Sequence, residues 1–425
     1  MNAEENELLC RIGPGSAMGA LVRHYWVPAF TSSQLPTAES DPIRVRVFGE
    51  NYVAFRGDDG AIGFLDEACP HRGASLVMAR NEGCALRCLY HGWKIGADGT
   101  VLETPNAESS ALRAGLRARS YPVQESHGLA WVYLGPPATV PERPRYAWES
   151  VPESNTLVVD VELDCNWLQA LEGLLDSSHT GVLHSDIFKK FPPSMRADGD
   201  AVTRALLPRI EVQRTDFGIH YGAIRADAGS KAGLDQVRIT AWAAPFICFI
   251  APGGMMHAAI PVDDTHTRFL NLWWDADERL DSGPGYEQRI DMWGLSADIL
   301  ALTGMTPTMP PKGEIPRRNA WPQDRAAMRS GESFSGLPGL TAEDGAIAVA
   351  MGPIVDRTKE HLVAADVAIT RTRRLLLKEA RAVAAGDAPA NWHGGKTPFA
   401  AIKAASGDLA PGADWRDLVP DHLAE

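Results

Sequence analysis

Two short runs, Cys69-Pro-His71 and Cys88-Leu-Tyr-His91, each carry a thiol and an imidazole within three or four residues, with sixteen residues between the runs. For these side chains to act together the intervening chain must fold back on itself. Gly73 and Gly92 supply the tight turns beside each pair. Two Cys and two His in this arrangement can hold a [2Fe–2S] cluster, thiolates on one iron and imidazoles on the other. Neutral His in place of anionic Cys then raises the reduction potential. The same donor set suits tetrahedral zinc, although common zinc fingers place two Cys close together and two His after them. Cys84 lies four residues before Cys88 but lacks a His two or three positions on, so Cys84, Cys10, Cys165 and Cys248 are expected to be small buried core residues.

The runs sit within residues 43–134, where apolar segments such as IRVRVFG, NYVAFRG and GLAWVYLG alternate with Gly, Asp and Asn. That texture predicts short antiparallel strands and an all-β domain. Residues 135–145, GPPATVPERPR, hold four prolines and read as a linker. The boundary is therefore expected between a first domain, 1–145, and a second, 146–425. The second opens with strand-like TLVVDVELD and helix-like NWLQALEGLLDSSHTGVL, and continues in strands over 201–275. A Gly- and Pro-rich insertion follows over 281–340, then a helical pattern from Thr341 to about Ala385. The predicted fold class is α+β. With 54 Asp+Glu against 41 Lys+Arg, a net charge of −13, a nucleic-acid-wrapping surface is excluded. The most apolar run, Ala241 to Val262, is broken by Pro245, Pro252, Gly253 and Gly254 and does not read as a membrane span. The acidic start lacks a secretory signal, and six cysteines are too sparse for a disulfide scaffold, so a cytoplasmic protein is expected.

A second constellation lies between Asn166 and His184. On one continuous helix Glu172, Asp176 and His179 would share a face. His179 and His184 are five apart, about 140° of rotation on a regular helix. Binding one metal therefore requires the helix to end or bulge between them, with Thr180-Gly181 the expected place. Asp176 is placed to accept the other ring N–H of His179 and fix its tautomer. An amphipathic helix with incidental histidines gives the same pattern, but an electron-carrying cluster needs somewhere to deliver its electrons. A metal that activates O2 also needs a carboxylate while leaving positions open. Asp344 is the candidate, although Thr341 to Asp344 has capping-box spacing. Asp356 and Glu360 are rivals, and Asp356 beside Arg357 reads as an ion pair.

Through CPHRGA at 69–74, CLYHGW at 88–93, the Asp176/His179/His184 segment and MGPIVDRTKEHL at 351–362, the chain resembles Rieske non-haem iron aromatic-ring-hydroxylating oxygenases, and among them the phthalate dioxygenase group. The resemblance covers nearly the whole chain. It implies a helix-grip-like central antiparallel sheet in the second domain and a long C-terminal helix. It implies Cys69, His71, Cys88 and His91 as cluster ligands, and His179, His184 and Asp344 as ligands of mononuclear Fe(II). Asp176 becomes the bridge between iron centres, touching His179 in one protomer and His91 of the partner subunit, within a homotrimer or a hexamer of stacked trimers. Glu343 stands where the group has Gln as often. The implied activity is cis-dihydroxylation of an aromatic carboxylate, phthalate or a chloro- or phenoxybenzoate. Its cosubstrate is O2, and NADH supplies electrons through a partner reductase. A monooxygenase or O-demethylase acting on a methoxy- or aryloxybenzoate would share both metal sites.

An arginine fork suits a substrate carboxylate. Arg238, alternating with Thr240 and Trp242, and Arg209, before Ile210 and Val212, are the candidates, each also readable as a surface or salt-bridged arginine. Ser178 and Gly181 flank His179 and are expected to line the pocket or permit the helix irregularity. Arg72, Arg80, Arg87 and Lys94 form a candidate reductase-docking face, or an ordinary solvated set of charges.

Overall fold

The structure, a computed structural model, describes residues 1–107, 113, 115–189, 193–305 and 321–422. The chain divides into two units, one of Gly13–Gly15 and Val22–Pro141, the other of Met1–Ile12, Ser16–Leu21 and Glu142–Glu425. The boundary falls inside the proline-rich 135–145 segment. The first helix, Ala3–Cys10, goes with the larger unit, not with the β domain into which the 1–145 expectation placed it. Polar bonds explain the difference. Asn6 Nδ2 donates to the Val355 carbonyl at 3.1 Å, Arg357 Nη1 reaches Asn6 Oδ1 at 3.1 Å, and Asn166 Nδ2 donates to the Cys10 carbonyl at 2.9 Å.

The described residues of the smaller unit form mainly β structure: two three-stranded sheets and one of four strands, built from short antiparallel pairs. Ile43–Val47 alternates buried and exposed, the period-2 signature of a strand with one wetted face. Val53, Phe55, Leu65, Leu86 and Ile95 form its core, and Cys69 and Cys88 pack into the same cluster.

The larger unit is organised by an eight-stranded antiparallel sheet. Its strands, numbered within this sheet, are β1 (Thr156–Leu163), β2 (Arg209–Arg214), β3 (Gly218–Arg225), β4 (Asp235–Ala243), β5 (Ile247–Phe249), β6 (Met255–Pro261), β7 (Thr267–Trp274) and β8 (Ala405–Leu409). The order is β1-β7-β6-β5-β4-β3-β2, with β8 pairing β4. Every residue of β3, β4 and β6 is buried, so the middle of the sheet is covered on both faces.

The insertion is less irregular than expected, since it contains helices Pro284–Trp293, Ala297–Thr303 and Arg325–Ser330; residues 306–320 lie outside the described part. The late helical pattern is two helices, Leu340–Ala350 and Val367–Ala384, not one. Gly352 at φ +90° and Pro353 stop the first, since Pro lacks the N–H a continuing helix needs. In the second, Ile369, Thr372, Leu376 and Ala380 form the buried stripe. Among the described residues no helix is long and apolar enough to cross a membrane.

A chain of histidines ties the C-terminal segment to the sheet. Lys403 N donates to His422 Nε2 at 2.9 Å, so His422 carries its proton on Nδ1 and donates it to His220 Nδ1 at 3.2 Å. His220 Nε2 then donates to Gln213 Oε1 at 3.1 Å. Burial pushes His220 to about 3 and His422 to about 4. Both stay neutral in the folded chain at pH values where the unfolded chain takes up protons, so their stabilisation is complete above about pH 6.5 and is lost as pH falls towards 4. Each costs about 1.4 kcal/mol per pH unit over that window. Unfolding free energies from denaturant titration should therefore fall more steeply below about pH 6.5 for the natural chain than for His422→Gln, by about 1.4 kcal/mol per pH unit.

Candidate metal centres

In the β unit the two Cys–His runs form near-identical loops. Gly73 N donates to the Cys69 carbonyl at 2.9 Å and Gly92 N to the Cys88 carbonyl at 3.0 Å, with both glycines near φ +75°. Cys69 N and Cys88 N are paired in turn to the carbonyls of Ala74 and Trp93, each closing its loop. The imidazoles of His71 and His91 meet with ring centroids 4.5 Å apart, and His71 stacks on Trp93 at 4.6 Å. Both thiols are buried, and His91 Nδ1 is buried without a protein partner. An orphaned imidazole nitrogen beside two buried thiols fits an inorganic group held between the loops.

The size of the set selects which group. A tetrahedral zinc with bonds of about 2.0–2.3 Å would draw all four donors within roughly 4 Å of one another. Among the described residues, three or more His, Cys, Asp or Glu donors converge within 4.8 Å only at His179, His184 and Asp344. Cys69, His71, Cys88 and His91 do not form such a group, which disfavours a single tetrahedral ion there and accords with donors shared between two irons. Cys84 is exposed, which corrects its expected place in the core, whereas Cys10, Cys165 and Cys248 are buried.

The second centre is assembled by a broken helix. Asn166 caps Trp167–Leu174 through Leu168 N at 3.1 Å, and the helix ends at Leu174. Asp176 Oδ1 accepts from Ser178 N at 2.7 Å and Ser178 Oγ at 2.6 Å, a local turn that competes with further helix. The break thus precedes His179, not Thr180-Gly181 as expected, and Glu172 and Asp176 do not share one helical face with it. A single turn, Thr180–Leu183, follows with His179 and His184 at its two ends. Gly181 is needed there for packing, since a Cβ would lie 2.5 Å from the Val202 carbonyl. The loop is pinned to the sheet where Ser177 Oγ meets Tyr221 Oη at 2.9 Å and Arg225 Nη2 donates to the Ser177 carbonyl at 2.9 Å.

Asp344 arrives on the Leu340–Ala350 helix, whose N-cap is Gly339, not Thr341. Thr341 Oγ1 has no partner, so the capping-box reading of this segment does not hold. Asp344 Oδ1 lies 3.1 Å from His184 Nε2 and 3.5 Å from His179 Nε2, and the two Nε2 atoms are 3.2 Å apart. These spacings suit three donors around one ion at about 2.1 Å, the two-His, one-carboxylate set that leaves positions open on one side. Burial would lower the pKa of His179, yet Asp176 and Asp344 raise it to about 10. The pocket is therefore built to hold positive charge, as a proton or as a metal ion.

Each imidazole is oriented from behind. Asp176 Oδ2 faces His179 Nδ1 at 3.4 Å, and Glu343 Oε2 faces His184 Nδ1 at 2.6 Å. Ser335 Oγ donates to the other Glu343 oxygen at 2.5 Å. The role of Glu343 was not read from the sequence, although its place beside Asp344 was the available signal. A Glu343→Leu variant should lose metal affinity about 10- to 100-fold, measurable by iron retention against a chelator.

The rival carboxylates are engaged elsewhere. Asp356 pairs with Lys359 at 3.0 Å rather than with Arg357, and Glu360 holds Arg373 at 2.6 Å and 2.9 Å. Arg209 is exposed and pairs with Glu211, so it lines neither cavity of the centre. Ser178 serves Asp176 and is likewise outside the cavity walls. Arg238 does line a cavity, of about 80 Å³, beside His184 and Asp344; its guanidinium is paired with Asp198 and donates to the Ala251 carbonyl at 2.7 Å. A larger cavity of about 290 Å³ borders Asp176, His179 and Asp344, with mainly apolar walls. Of the proposed docking cations, Arg80, Arg87 and Lys94 gather around Glu82 at 3.7, 2.8 and 3.6 Å, and Arg72 lies over the Tyr90 ring.

Comparison with known proteins follows this division. Residues 25–122 match the Rieske [2Fe-2S] domain and residues 132–423 the LigXa C-terminal domain like family. The oxygenase subunit of phthalate 4,5-dioxygenase from Pseudomonas putida is 34% identical, over 98% of this chain and 94% of its own length. That of 3-chlorobenzoate-3,4-dioxygenase from Comamonas testosteroni is 34% identical over 89% and 88%. The oxygenase subunit of 5,5'-dehydrodivanillate O-demethylase from Sphingobium sp. (strain NBRC 103272 / SYK-6) is 29% identical over 92% and 82%. Among solved structures, dicamba monooxygenase bound to dicamba superposes with a TM-score of 0.59 at 20% identity, covering 86% of this chain and 99% of that one.

Proposed function

This chain belongs to the Rieske non-haem iron oxygenases, and from that premise we propose that it cis-dihydroxylates an aromatic carboxylate, phthalate or a substituted benzoate. As an oxygenase component it uses a [2Fe–2S] cluster, mononuclear iron and O2, with NADH electrons supplied by a partner reductase. The overall reaction balances as arene, O2, NADH and a proton giving a cis-dihydrodiol and NAD⁺. The observation that carries the reading is the convergence of His179, His184 and Asp344 beside two cavities.

When bound, the iron supplies O2 activation and the cluster supplies single electrons. The residues of the chain supply the rest. Asp176 and Glu343 hold the Nδ1 protons of His179 and His184, leaving both Nε2 lone pairs for the metal. The apolar cavity walls exclude water from the open side. Arg238 bonds one Asp198 oxygen and the Ala251 carbonyl, and its remaining N–H groups would meet a substrate carboxylate. Asp176 would also bridge to His91 of the partner subunit in a homotrimer. Exposed apolar residues support such a contact: Leu89 and Tyr90 precede His91, and Ile347, Met351 and Leu362 rim the larger cavity. A cytoplasmic location accords with six unpaired cysteines.

The test is NADH and O2 consumption with a matched reductase across phthalates, chlorobenzoates and phenoxybenzoates, with product identification. A cis-dihydrodiol is expected; a phenol, or formaldehyde from a methoxybenzoate, would replace this reading with the monooxygenase one. In Asp176→Asn both iron centres should remain while product formation slows by about 10-fold or more; unchanged turnover would remove the bridging role.

A further inference from the structure

The cations beside the cluster loops are largely neutralised within the chain. Arg80, Arg87 and Lys94 converge on Glu82, and Arg87 Nη2 also lies 3.0 Å from Glu103 Oε2. A different set is open to solvent. In the helix Val367–Ala384, every exposed position from Val367 to Arg381 is a cation: Arg371, Arg374, Lys378 and Arg381. They recur every three or four residues, so at about 100° per residue they fall within about 80° of one another, on a stripe about 15 Å long. The opposite side of the helix is packed, with Ile369, Leu375, Leu376 and Ala380 buried.

Little in the chain balances this stripe. The one carboxylate of the helix, Glu379, is buried and lies 3.2 Å from Lys378 Nζ, and Arg381 Nη2 reaches Glu5 Oε1 at 3.2 Å. Arg371 and Arg374 have no carboxylate or hydrogen-bonded side-chain partner among the described residues. Like charges three and four residues apart work against a helix, so the stripe does not serve the fold. In a chain of net charge −13 it is a local reversal of sign, which steers an anionic surface towards it. A membrane does not fit, because the apolar side that would enter lipid is buried in the core. A nucleic acid would be repelled by the overall negative charge. An acidic protein surface remains.

The place of the helix indicates which protein. Its packed side supplies Ile369 and Arg373 to the larger cavity, which also borders Asp176 and His179. We propose that Arg371, Arg374, Lys378 and Arg381 form the docking surface for a carboxylate-rich face of the NADH-dependent reductase, which delivers electrons where the cluster of the partner subunit meets Asp176. This rests on the reading that the partner's cluster approaches Asp176 in a homotrimer. In each encounter one electron leaves the reduced reductase and reduces the cluster. No bond forms or breaks, and no other reactant is needed.

Anaerobic mixing of the holoenzyme with the NADH-reduced matched reductase tests this without aromatic substrate, read as bleaching of the visible cluster spectrum. With Arg371→Glu and Arg374→Glu together, the second-order rate constant should fall ~10-fold or more at low salt, and the equilibrium Kd for the oxidised reductase should rise in step. High salt should slow the natural chain towards the variant. Reduction by dithionite should be equal in both. Arg371→Gln with Arg374→Gln, which removes charge without reversing it, should lose an intermediate amount. An unchanged rate constant in both variants would overturn the proposal. So would a loss confined to Arg80→Glu and Arg87→Glu, which would return docking to the cluster loops. A smaller assembly by light scattering in the Arg371/Arg374 variants would also overturn it, making the stripe a contact between protomers. If the natural chain is monomeric yet the variants lose rate and affinity, the homotrimer reading fails and the docking surface stands.

Discussion

Asp344→Asn is expected to release the mononuclear iron and leave the cluster intact. Iron should fall by one atom per chain, acid-labile sulfide and the visible cluster spectrum should be unchanged, and product formation should drop by ~10³-fold or more, the scale of losing a whole catalytic group. The reason is geometric and electrostatic together. Among the described residues Asp344 Oδ1 is the one carboxylate oxygen within 3.5 Å of both Nε2 atoms, whereas Asp176 and Glu343 address the far nitrogens. Asparagine keeps the shape but offers a neutral donor, so two imidazoles alone must hold a dication. The nearby carboxylates cannot substitute without abandoning the Nδ1 atoms they orient. Full activity in Asp344→Asn would remove it from the ligand set. Retention of iron with loss of turnover would instead limit its role to the reaction.

Glu172→Gln should give the largest loss of stability of any single polar change near the site. Glu172 is clasped by Arg357, whose Nη2 is 2.9 Å away, and by Arg373, whose Nε is 2.6 Å away. Arg357 also reaches Asn6, which links the first helix to the same cluster. Both guanidiniums are buried; Arg373 keeps Glu360, but Arg357 has Glu172 as its carboxylate partner, so neutralising Glu172 leaves the Arg357 charge where water cannot reach it. Breaking such a buried arrangement costs about 3–5 kcal/mol, or roughly 10 °C in thermal midpoint for a domain of this size. Burial alone would raise the pKa of Glu172, but Arg357 and Arg373 lower it. Its stabilisation is therefore present above the unfolded carboxyl value near ~4.3 and lost as pH falls through the lower folded value. Scanning calorimetry at pH 7 reads the effect. A shift under about 1 °C would show that the two arginines find other partners.

Much of the chemistry was written locally. The Cys-x-His and Cys-x-x-His loops close with their own backbone bonds, so a few consecutive residues specify each half of the candidate cluster site. The short alternating strands of the first unit were legible for the same reason, because period-2 burial is a property of neighbouring residues, whereas the antiparallel sheet of the second, whose middle strands are buried on both faces, was expected from the family resemblance. Some signals were present but outweighed by a periodic pattern. Asp176-Ser-Ser ends the first site helix through the bonds of Asp176 to Ser178, and Gly352-Pro353 divides the late helix in two.

The sequence by itself determined the donor types, their grouping into two centres, and the fold class that carries them. The tertiary structure alone decided which carboxylate faces which nitrogen, since Asp344 and Glu343 are adjacent in sequence yet address opposite atoms of His184, Nε2 and Nδ1. It also decided that Arg209 is a surface residue and that Asp198 engages Arg238. Spacing along a chain records which side chains share a turn of helix or a face of strand. Partners brought together by strand register, or by a helix arriving from 160 residues away, as Asp344 does to His184, depend on packing that no local pattern contains.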